Sequence, residues 1–331
     1  MFNLENRRYI GSKANLSDWI LDLIQKNCTG DVFADIFAGT AIIAQKASKM
    51  YSHVIVNDFL FSNNLIYNAF FIDKAWNQEK INEYVESWNM TSANTLQDNY
   101  FSRNFGGKFF SFDDAKKIGA IRDDLQLDRT FNNKEKDILL ASLIYSADKI
   151  ANTVGHYEAY FHKKDISSQF IYQVINPAPI KDVEIYREDV NKLSKDLKAD
   201  IVYIDPPYNS RQYSRFYHVL ENLAKWEKPK LEGVALKPPA ENMSEYCRIN
   251  ASDVFKELIK NLQCKFIAVS YNNTYNSKSS SSKNKISLEQ IEEILNSKGK
   301  TTRYEHNYKF FNSGKTNFDD HKEFLFITKV S

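Results

Sequence analysis

The sequence has little net charge, few cysteines and no long apolar run. The formal net charge is +2 and the sequence pI is about 8.2, short of the strongly basic character that by itself indicates a nucleic-acid-binding protein. Cys28, Cys247 and Cys264 are odd in number and lack C-x-x-C spacing, which favours a reduced cytoplasmic setting without disulfides or a structural metal. The N-terminus has no signal-peptide core, and no apolar run approaches the roughly 20 residues that span a bilayer. We therefore expect a cytoplasmic protein with no membrane partner.

What the chain does contain is an alternation of apolar strands and amphipathic helices. With 331 residues, 43% of them hydrophobic, it can bury a large core as one elaborate domain or two modest ones. The order strand, helix, strand, helix predicts a doubly wound, mostly parallel seven-stranded sheet of the α/β class, with an antiparallel pair of strands at its end. The seven predicted strands are Asp31–Phe37, His53–Asp58, Val183–Asp189, Asp200–Asp205, Lys265–Tyr271, Thr301–Phe311 and Lys322–Lys329.

The alternation stops in the middle of the chain. Residues 73–180 have mostly helical periodicity, and the segment closes on the turn-forming sequence NPAPI. We interpret 73–180 as a helical domain inserted into a catalytic domain formed by 1–72 and 181–331.

The turn after the first strand indicates a nucleotide-like ligand without phosphates. An open parallel sheet binds such ligands at its switch point, with an acid at the end of the second strand, here Asp58, to accept the ribose hydroxyls. The turn reads IFAGTAI, so its single glycine, Gly39, does not make the G-x-G-x-x-G cradle of a pyrophosphate. S-adenosylmethionine fits this pattern, while an ordinary strand-to-helix turn is the alternative interpretation.

The stretch DIVYIDPPYNSRQY, Asp200 to Tyr213, ends a buried strand in a stiff tip rich in hydrogen-bond acceptors. Pro206 and Pro207 restrict the backbone and donate no hydrogen bond. The Asp205 carboxylate and the Pro206 carbonyl complement an exocyclic amino group, and the Tyr208 ring can stack on a base. The pattern predicts methyl transfer to an amino nitrogen with Asp205, Pro206, Pro207 and Tyr208 at the reacting centre, the alternative being an ordinary acidic turn.

Three motifs together, IVYIDPPY, FAGT and the N-terminal RRYIGSK, resemble the Dam-type family of adenine-N6 DNA methyltransferases, which includes modification enzymes of bacterial restriction systems. The resemblance covers about residues 7–72 and 183–329. It implies a Rossmann-like S-adenosylmethionine-dependent fold and methyl transfer to adenine N6 in double-stranded DNA, on a base flipped out of the helix, with no metal. It also implies a cognate restriction endonuclease as a candidate partner, and we expect a monomer.

The resemblance further implies a cofactor site. The family's Y-x-G-x-K segment places Lys13 near the cofactor carboxylate, Asp58 on the ribose, and Asp189 beside the adenine ring. A solvated strand-end acid is the alternative for Asp189. The implied cofactor-binding residues are Tyr9, Lys13, Asp35, Phe37, Gly39, Thr40, Asp58, Asp189 and Asp205.

The first turn departs from the family in one position. The family often has a second glycine, as in F-x-G-x-G, where this chain has Ala41. We interpret Ala41 as a residue already inside the following helix, where alanine is well tolerated.

In the family, the order of cofactor motifs, insertion and DPPY implies that 73–180 recognises the DNA target. The segment Val154 to Lys164 crowds small, aromatic and basic residues together, and His162 and Lys163 are candidate DNA contacts. Arg211 and Arg215 follow the DPPY tip and are candidate phosphate contacts. For each of these basic residues, a solvated surface charge is the alternative.

Other substrates are compatible with the same chemistry. Cytosine N4 presents the same kind of amino group, although that tip more often begins with serine than with aspartate. An RNA base and a glutamine amide are further candidates, and a catalytically silent DNA-binding paralogue is the alternative from another class. The intact DPPY with Lys13 and Asp58 argues against a silent protein.

Overall fold

A computed structural model describes residues 1–162, 165–273, 284–307 and 322–331. The chain divides into two compact units. The helical unit consists of Met1–Gly11, Leu60–Lys181 and Tyr213–Glu241, and the sheet unit of Ser12–Phe59, Asp182–Gln212 and Asn242–Ser331. The described helices are α1 Ser17–Asn27, α2 Ile42–Ala47, α3 Phe61–Phe71, α4 Gln78–Met90, α5 Tyr100–Phe105, α6 Phe112–Leu127, α7 Asn133–Ile150, α8 Val190–Leu193, α9 Tyr213–Phe216, α10 His218–Lys225, α11 Ala251–Asn261 and α12 Leu288–Asn296.

The sheet unit is built on a seven-stranded mixed sheet in the order β3-β2-β1-β4-β5-β7-β6. The five strands β1 to β5 are parallel, whereas β7 runs antiparallel to both β5 and β6. The predicted α/β class, the seven strands and the antiparallel terminal pair are confirmed, except that residues 308–311 of the predicted strand Thr301–Phe311 lie outside the described residues. The strands are β1 Val32–Asp35, β2 His53–Asn57, β3 Val183–Tyr186, β4 Ile201–Ile204, β5 Phe266–Asn272, β6 Gly299–Asn307 and β7 Lys322–Val330.

Both faces of the sheet are covered by helices because alternate strand residues point to opposite sides. On one face, Phe33 and Tyr203 pack with buried residues of α1 and α2. On the other face, Ala34 and Val202 pack with buried residues of α8, α11 and α12. This double cover fixes the strands from both sides and makes their carboxyl ends a rigid support for loops.

The helical unit contains α3 to α7 together with α9 and α10. The predicted insertion, 73–180, lies inside it, but the unit also takes Met1–Gly11, Tyr213–Glu241 and the strongly apolar helix α3. Polar contacts join its helices: Glu221 of α10 accepts hydrogen bonds from the backbone N–H groups of Phe61 and Ser62 at the start of α3, at 3.0 and 2.7 Å. Because the first N–H groups of a helix have no partner within it, this carboxylate acts as an N-terminal cap.

None of the helices within the described residues is long and apolar enough to cross a membrane. The same part of the chain contains no group of three or more His, Cys, Asp or Glu side chains suited to hold a metal ion. The expected metal-free reaction stays a prediction.

Candidate active site

Acidic side chains collect at the carboxyl edge of the parallel strands. Asp35 is the last residue of β1, Asp58 follows β2 directly, and Asp205 follows β4 directly. Since β1 pairs with β2 on one side and with β4 on the other, the strand order reverses here. This is the switch point at which open α/β sheets bind their ligands.

Asp35 is a buried acid at this edge that lacks a full set of hydrogen-bond partners within the described part of the chain. Its side chain is buried, with 1% of its surface exposed, and its Oδ1 has no hydrogen-bond partner among the described residues. Burial, followed by the charges of Asp205 and Asp58, raises the pKa of Asp35 well above its usual value, against hydrogen bonds from the backbone of Ala44 and Phe37. A buried carboxyl group without a full set of partners is costly, so the edge suits a ligand that brings hydrogen-bond donors and positive charge.

The turn after β1 has a left-handed backbone at two positions. Gly39 has φ +54, and its N–H donates to Oδ2 of Asp58 at 2.9 Å. Ala41 has φ 58 and precedes α2 as its N-cap residue, so the interpretation that it lies inside the helix is wrong. Ala41 occupies the position at which the family often has its second glycine. Its left-handed backbone explains why glycine is favoured at this position. Nearby, the half-buried Phe37 ring lies edge-on to Tyr246, with centroids 5.0 Å apart, and Thr40 is buried.

Lys13 lies between the half-buried Asp205 and the buried Glu323. Its Nζ is 3.0 Å from Oδ1 of Asp205 and 3.1 Å from Oε1 of Glu323. The Tyr208 hydroxyl joins the same group: it donates to Oδ1 of Asp205, accepts from Lys13 Nζ, and lies 3.2 Å from Oε1 of Glu323. The two carboxylates raise the pKa of Lys13 above its usual value, although burial acts in the opposite direction. The ammonium is therefore charged at any physiological pH.

Backbone and ring contacts hold the tip formed by Asp205 to Tyr208. Pro206 is buried and Tyr208 is half-buried. The Tyr208 carbonyl accepts a hydrogen bond from the Lys285 N–H at 2.8 Å, and the Tyr208 ring lies edge-on to Tyr271, with centroids 4.9 Å apart. These contacts fix the position of the aspartate that leads the motif.

Sequence reasoning missed Glu323. This residue stands second in β7 and has 4% of its side chain exposed. The one sequence feature that could have pointed to it is its place as an acid at the start of the apolar run KEFLFITK. An acid at the end of a strand usually faces water, so this feature did not indicate a buried site residue. Its partner Lys13 lies far away in the chain, and no pattern along the sequence joins the two.

The remaining predicted cofactor residues have clear structural surroundings. Asp189 is the N-cap of α8, and its Oδ1 accepts from the backbone N–H groups of Asn191 and Lys192 at 3.0 and 3.3 Å. Tyr9 belongs to the helical unit, where its ring stacks on Tyr217 with centroids 4.9 Å apart and planes 7° apart. Their contacts with the cofactor stay predictions.

The predicted DNA contacts are distributed over both units. Arg211 belongs to the sheet unit, whereas Arg215 belongs to the helical unit, and its Nη1 donates to the Pro238 carbonyl at 2.7 Å. His162 is exposed and its ring centroid lies 5.1 Å from that of Tyr160. Lys163 lies outside the described residues. DNA contact by these residues stays a prediction.

Comparison with known proteins identifies the family. The model of the D12 class N6 adenine-specific DNA methyltransferases matches residues 9–276. The chain is 30% identical to the type II methyltransferase M.NlaIII of Neisseria lactamica, over 95% of each protein, and 30% identical to M.CviAII of Paramecium bursaria Chlorella virus 1, over 97% of this chain and 98% of the relative. It is 33% identical to M.FokI of Planomicrobium okeanokoites over 90% of this chain, but it spans only 48% of that longer protein. By this match and by its DPPY tip, the chain belongs to the D12 class N6 adenine-specific DNA methyltransferase family.

Proposed function

We propose that this protein transfers the methyl group of S-adenosylmethionine to N6 of adenine at a specific sequence in double-stranded DNA, as the modification enzyme of a restriction-modification system. Family membership and the names of the type II methyltransferases that it resembles support this proposal. The observation that carries it is Asp205, which follows β4 at the acidic switch point and is held there by Lys13.

The carboxyl edge of the sheet fits the cofactor. S-adenosylmethionine, when bound, supplies a methyl group on a positively charged sulfur, together with an ammonium group and two ribose hydroxyls. The buried Oδ1 of Asp35 needs a hydrogen-bond donor, and Asp58 is placed after β2, where an acid accepts ribose hydroxyls. We assign the methionine end of the cofactor to Phe37, Gly39 and Thr40, and its adenine to the neighbourhood of Asp189.

The tip orients the amino group of the target. The N6 amino group of adenine is a poor nucleophile because its lone pair is delocalised into the ring. Lys13 and Tyr208 both contact Oδ1 of Asp205, so we assign Oδ2 to one N–H of the target and the Pro206 carbonyl to the other. Two fixed acceptors draw the nitrogen toward tetrahedral geometry and aim its lone pair at the methyl carbon.

The transfer is then a direct displacement. The N6 lone pair forms the new N–C bond, the C–S bond breaks with its electrons remaining on sulfur, and the extra proton passes from N6 to water. Because that proton is acidic once nitrogen carries the methyl group, no histidine base is needed. The base must first leave the DNA helix, and we assign its stacking partner to the Tyr208 ring.

We assign target recognition to the helical unit, and above all to 73–180. Within it, an antiparallel bridge joins Thr153 to Tyr160, and the side chains of Val154 and Phe161 are 39% and 48% exposed. Exposed apolar and basic groups on a short turn suit contact with bases and phosphates. Arg211 and Arg215 are assigned to phosphates, and a cognate nuclease is the expected partner in the cell.

One assay tests the function. Purified protein is incubated with labelled S-adenosylmethionine and mixed-sequence DNA, and the DNA is digested to nucleosides. We expect label in N6-methyladenine. Label in N4-methylcytosine would establish the related cytosine chemistry instead. Absence of label from both nucleosides would defeat the proposal and leave an RNA base, a glutamine amide or a silent DNA-binding protein as the alternatives.

A further inference from the structure

The cluster of Lys13, Asp205, Tyr208 and Glu323 contains one cation and two carboxylates. A carboxylate with 4% of its side chain exposed, as in Glu323, is costly to bury unless it is paired. Glu323 is paired with Lys13 at 3.1 Å and contacts the Tyr208 hydroxyl at 3.2 Å. It therefore contacts the same two groups that hold Asp205.

The two acids compete for one ammonium group. Lys13 Nζ lies 3.0 Å from Asp205 and 3.1 Å from Glu323, and by Coulomb's law two equal distances mean nearly equal attraction. With Glu323 ionised, Asp205 is only partly neutralised by the lysine. Without that charge, the whole ammonium would pair with Asp205.

We propose that Glu323 is a positioning residue: by sharing Lys13 it keeps Asp205 a strong hydrogen-bond acceptor toward the target amino group. A carboxylate that is fully paired with an ammonium group has less negative charge to offer a weak donor such as the N6 amino group. The inference rests on the proposed function of Asp205, which Glu323 assists through Lys13.

The arrangement makes methyl transfer sensitive to pH. Burial is the main cause that raises the pKa of Glu323 to about 7, and the charge of Asp205 adds to it, whereas Lys13 and Tyr208 act in the opposite direction. Glu323 therefore shares Lys13 above this pH and releases it to Asp205 as the pH falls through about 7. The other groups that face Glu323 are Tyr203, and by strand register Asn272 on β5 and His306 on β6.

Glu323→Gln tests the proposal, because glutamine keeps the size of the side chain and an oxygen for Lys13 but removes the charge. The measurement is the single-turnover rate of methyl transfer at saturating S-adenosylmethionine and DNA, as a function of pH. We expect the wild-type rate to fall as the pH drops through about 7. The variant should be about tenfold slower above that pH and flat around it.

A second measurement does not depend on activity. Carboxyl-carbon NMR of labelled wild-type protein should show an acid that titrates near pH 7, and this titration should be missing from Glu323→Gln. Wild-type protein that shows the titration but puts no label into N6-methyladenine would defeat the proposed function and leave the charge sharing intact.

Two further variants complete the test. Glu323→Asp keeps the charge, so its rate of methyl transfer should still fall near neutral pH. If it does, the lower rate of the glutamine variant results from the lost charge and not from a disturbed structure. Glu305→Gln, on β6 with 57% of its side chain exposed, should keep the wild-type rate and pH dependence. A Glu323→Gln variant with the wild-type rate and the same fall in rate, or one in which only the affinity for S-adenosylmethionine changes, overturns the proposal.

Discussion

At the scale of the residue, Asp205 illustrates how one carboxylate can be held and yet remain available. Lys13 and Tyr208 both contact its Oδ1, and the two prolines after it limit backbone motion. Orientation is therefore set through one oxygen. In the proposed mechanism the other oxygen binds the target amino group, so we expect removal of the side chain to affect catalysis far more than DNA binding.

We expect Asp205→Ala to abolish methyl transfer, with a loss of at least about 10²-fold to 10³-fold, because it removes an acceptor that acts on the reacting nitrogen. DNA binding should largely survive, since an anionic carboxylate does not bind phosphates and most of the affinity for DNA comes from phosphate contacts. The rate is measured in single turnover and DNA affinity by fluorescence anisotropy. A variant with full activity would refute the proposed mechanism.

Ala41 is the second residue with a specific conformational role. Its φ is 58 and its side chain is fully buried. Ala41→Gly relieves roughly 1–2 kcal/mol of left-handed backbone strain, but loses about 0.8 kcal/mol of methyl burial and about 0.4–1 kcal/mol through the more flexible unfolded chain. The terms nearly cancel.

We therefore expect the free energy of unfolding of Ala41→Gly to lie within about 1 kcal/mol of wild type in denaturant titrations. Ala44→Gly is the matched control, because Ala44 is equally buried but lies inside α2, where glycine and the lost methyl group together cost about 1–2 kcal/mol. Equal losses in the two variants would contradict a strained backbone at Ala41.

At the scale of the element, α10 is connected to its neighbours by hydrogen bonds between charged side chains and backbone groups. Glu221 caps the start of α3, and Arg122 of α6 donates from Nε to the Leu223 carbonyl at 2.8 Å and from Nη2 to the Ala224 carbonyl at 3.2 Å. The last carbonyls of a helix have no partner within it, and a cation there also complements the helix dipole. A single planar guanidinium satisfies both carbonyls at once.

Arg122→Lys should therefore destabilise the protein by about 1–3 kcal/mol, because an ammonium group lacks the fork that reaches two carbonyls and leaves one of them buried. Arg129→Lys is the control, since Arg129 is exposed and the change should stay within about 0.5 kcal/mol. Denaturant unfolding of both variants gives the comparison. A loss no larger in Arg122→Lys than in Arg129→Lys would show that the two carbonyl contacts contribute little.

At the scale of the whole molecule, the proposed division of labour places chemistry in the sheet unit and target recognition in the helical unit. Arg211 and Arg215 follow one motif in the chain but belong to different units. If both contact phosphates, each should contribute one released counterion to the salt dependence of DNA binding.

We expect the Arg211→Ala, Arg215→Ala double variant to reduce the slope of log affinity against log salt by about 2, and each single variant by about 1. Lys26→Ala is the control: Lys26 is 66% exposed and pairs with Asp22 on α1, so its removal should leave the slope unchanged. An unchanged slope in the double variant would show that these arginines do not bind DNA phosphates.

The sheet was predictable because strand and helix periods are local properties of the chain, as are the turn after β1 and the tip after β4. The sequence prediction put Ala41 inside α2 because the start of a helix cannot be predicted to within one residue. An error of one residue here changes the expected backbone conformation from helical to left-handed. Glu323 and the orientation of the Tyr208 hydroxyl arise only from tertiary packing, which brings Lys13 and β7 together. Sequence patterns within one segment do not predict such a long-range contact.

The position of β7 has a consequence for how the enzyme is assembled. This strand comes last in the described chain yet lies between β5 and β6, and it brings Glu323 to a lysine near the other end. Closing so long a loop has an entropic cost that local contacts do not offset. A refolding chain can thus form β1, β4 and the DPPY tip before the lysine has its second acid, and full activity should return only when the final strand has inserted.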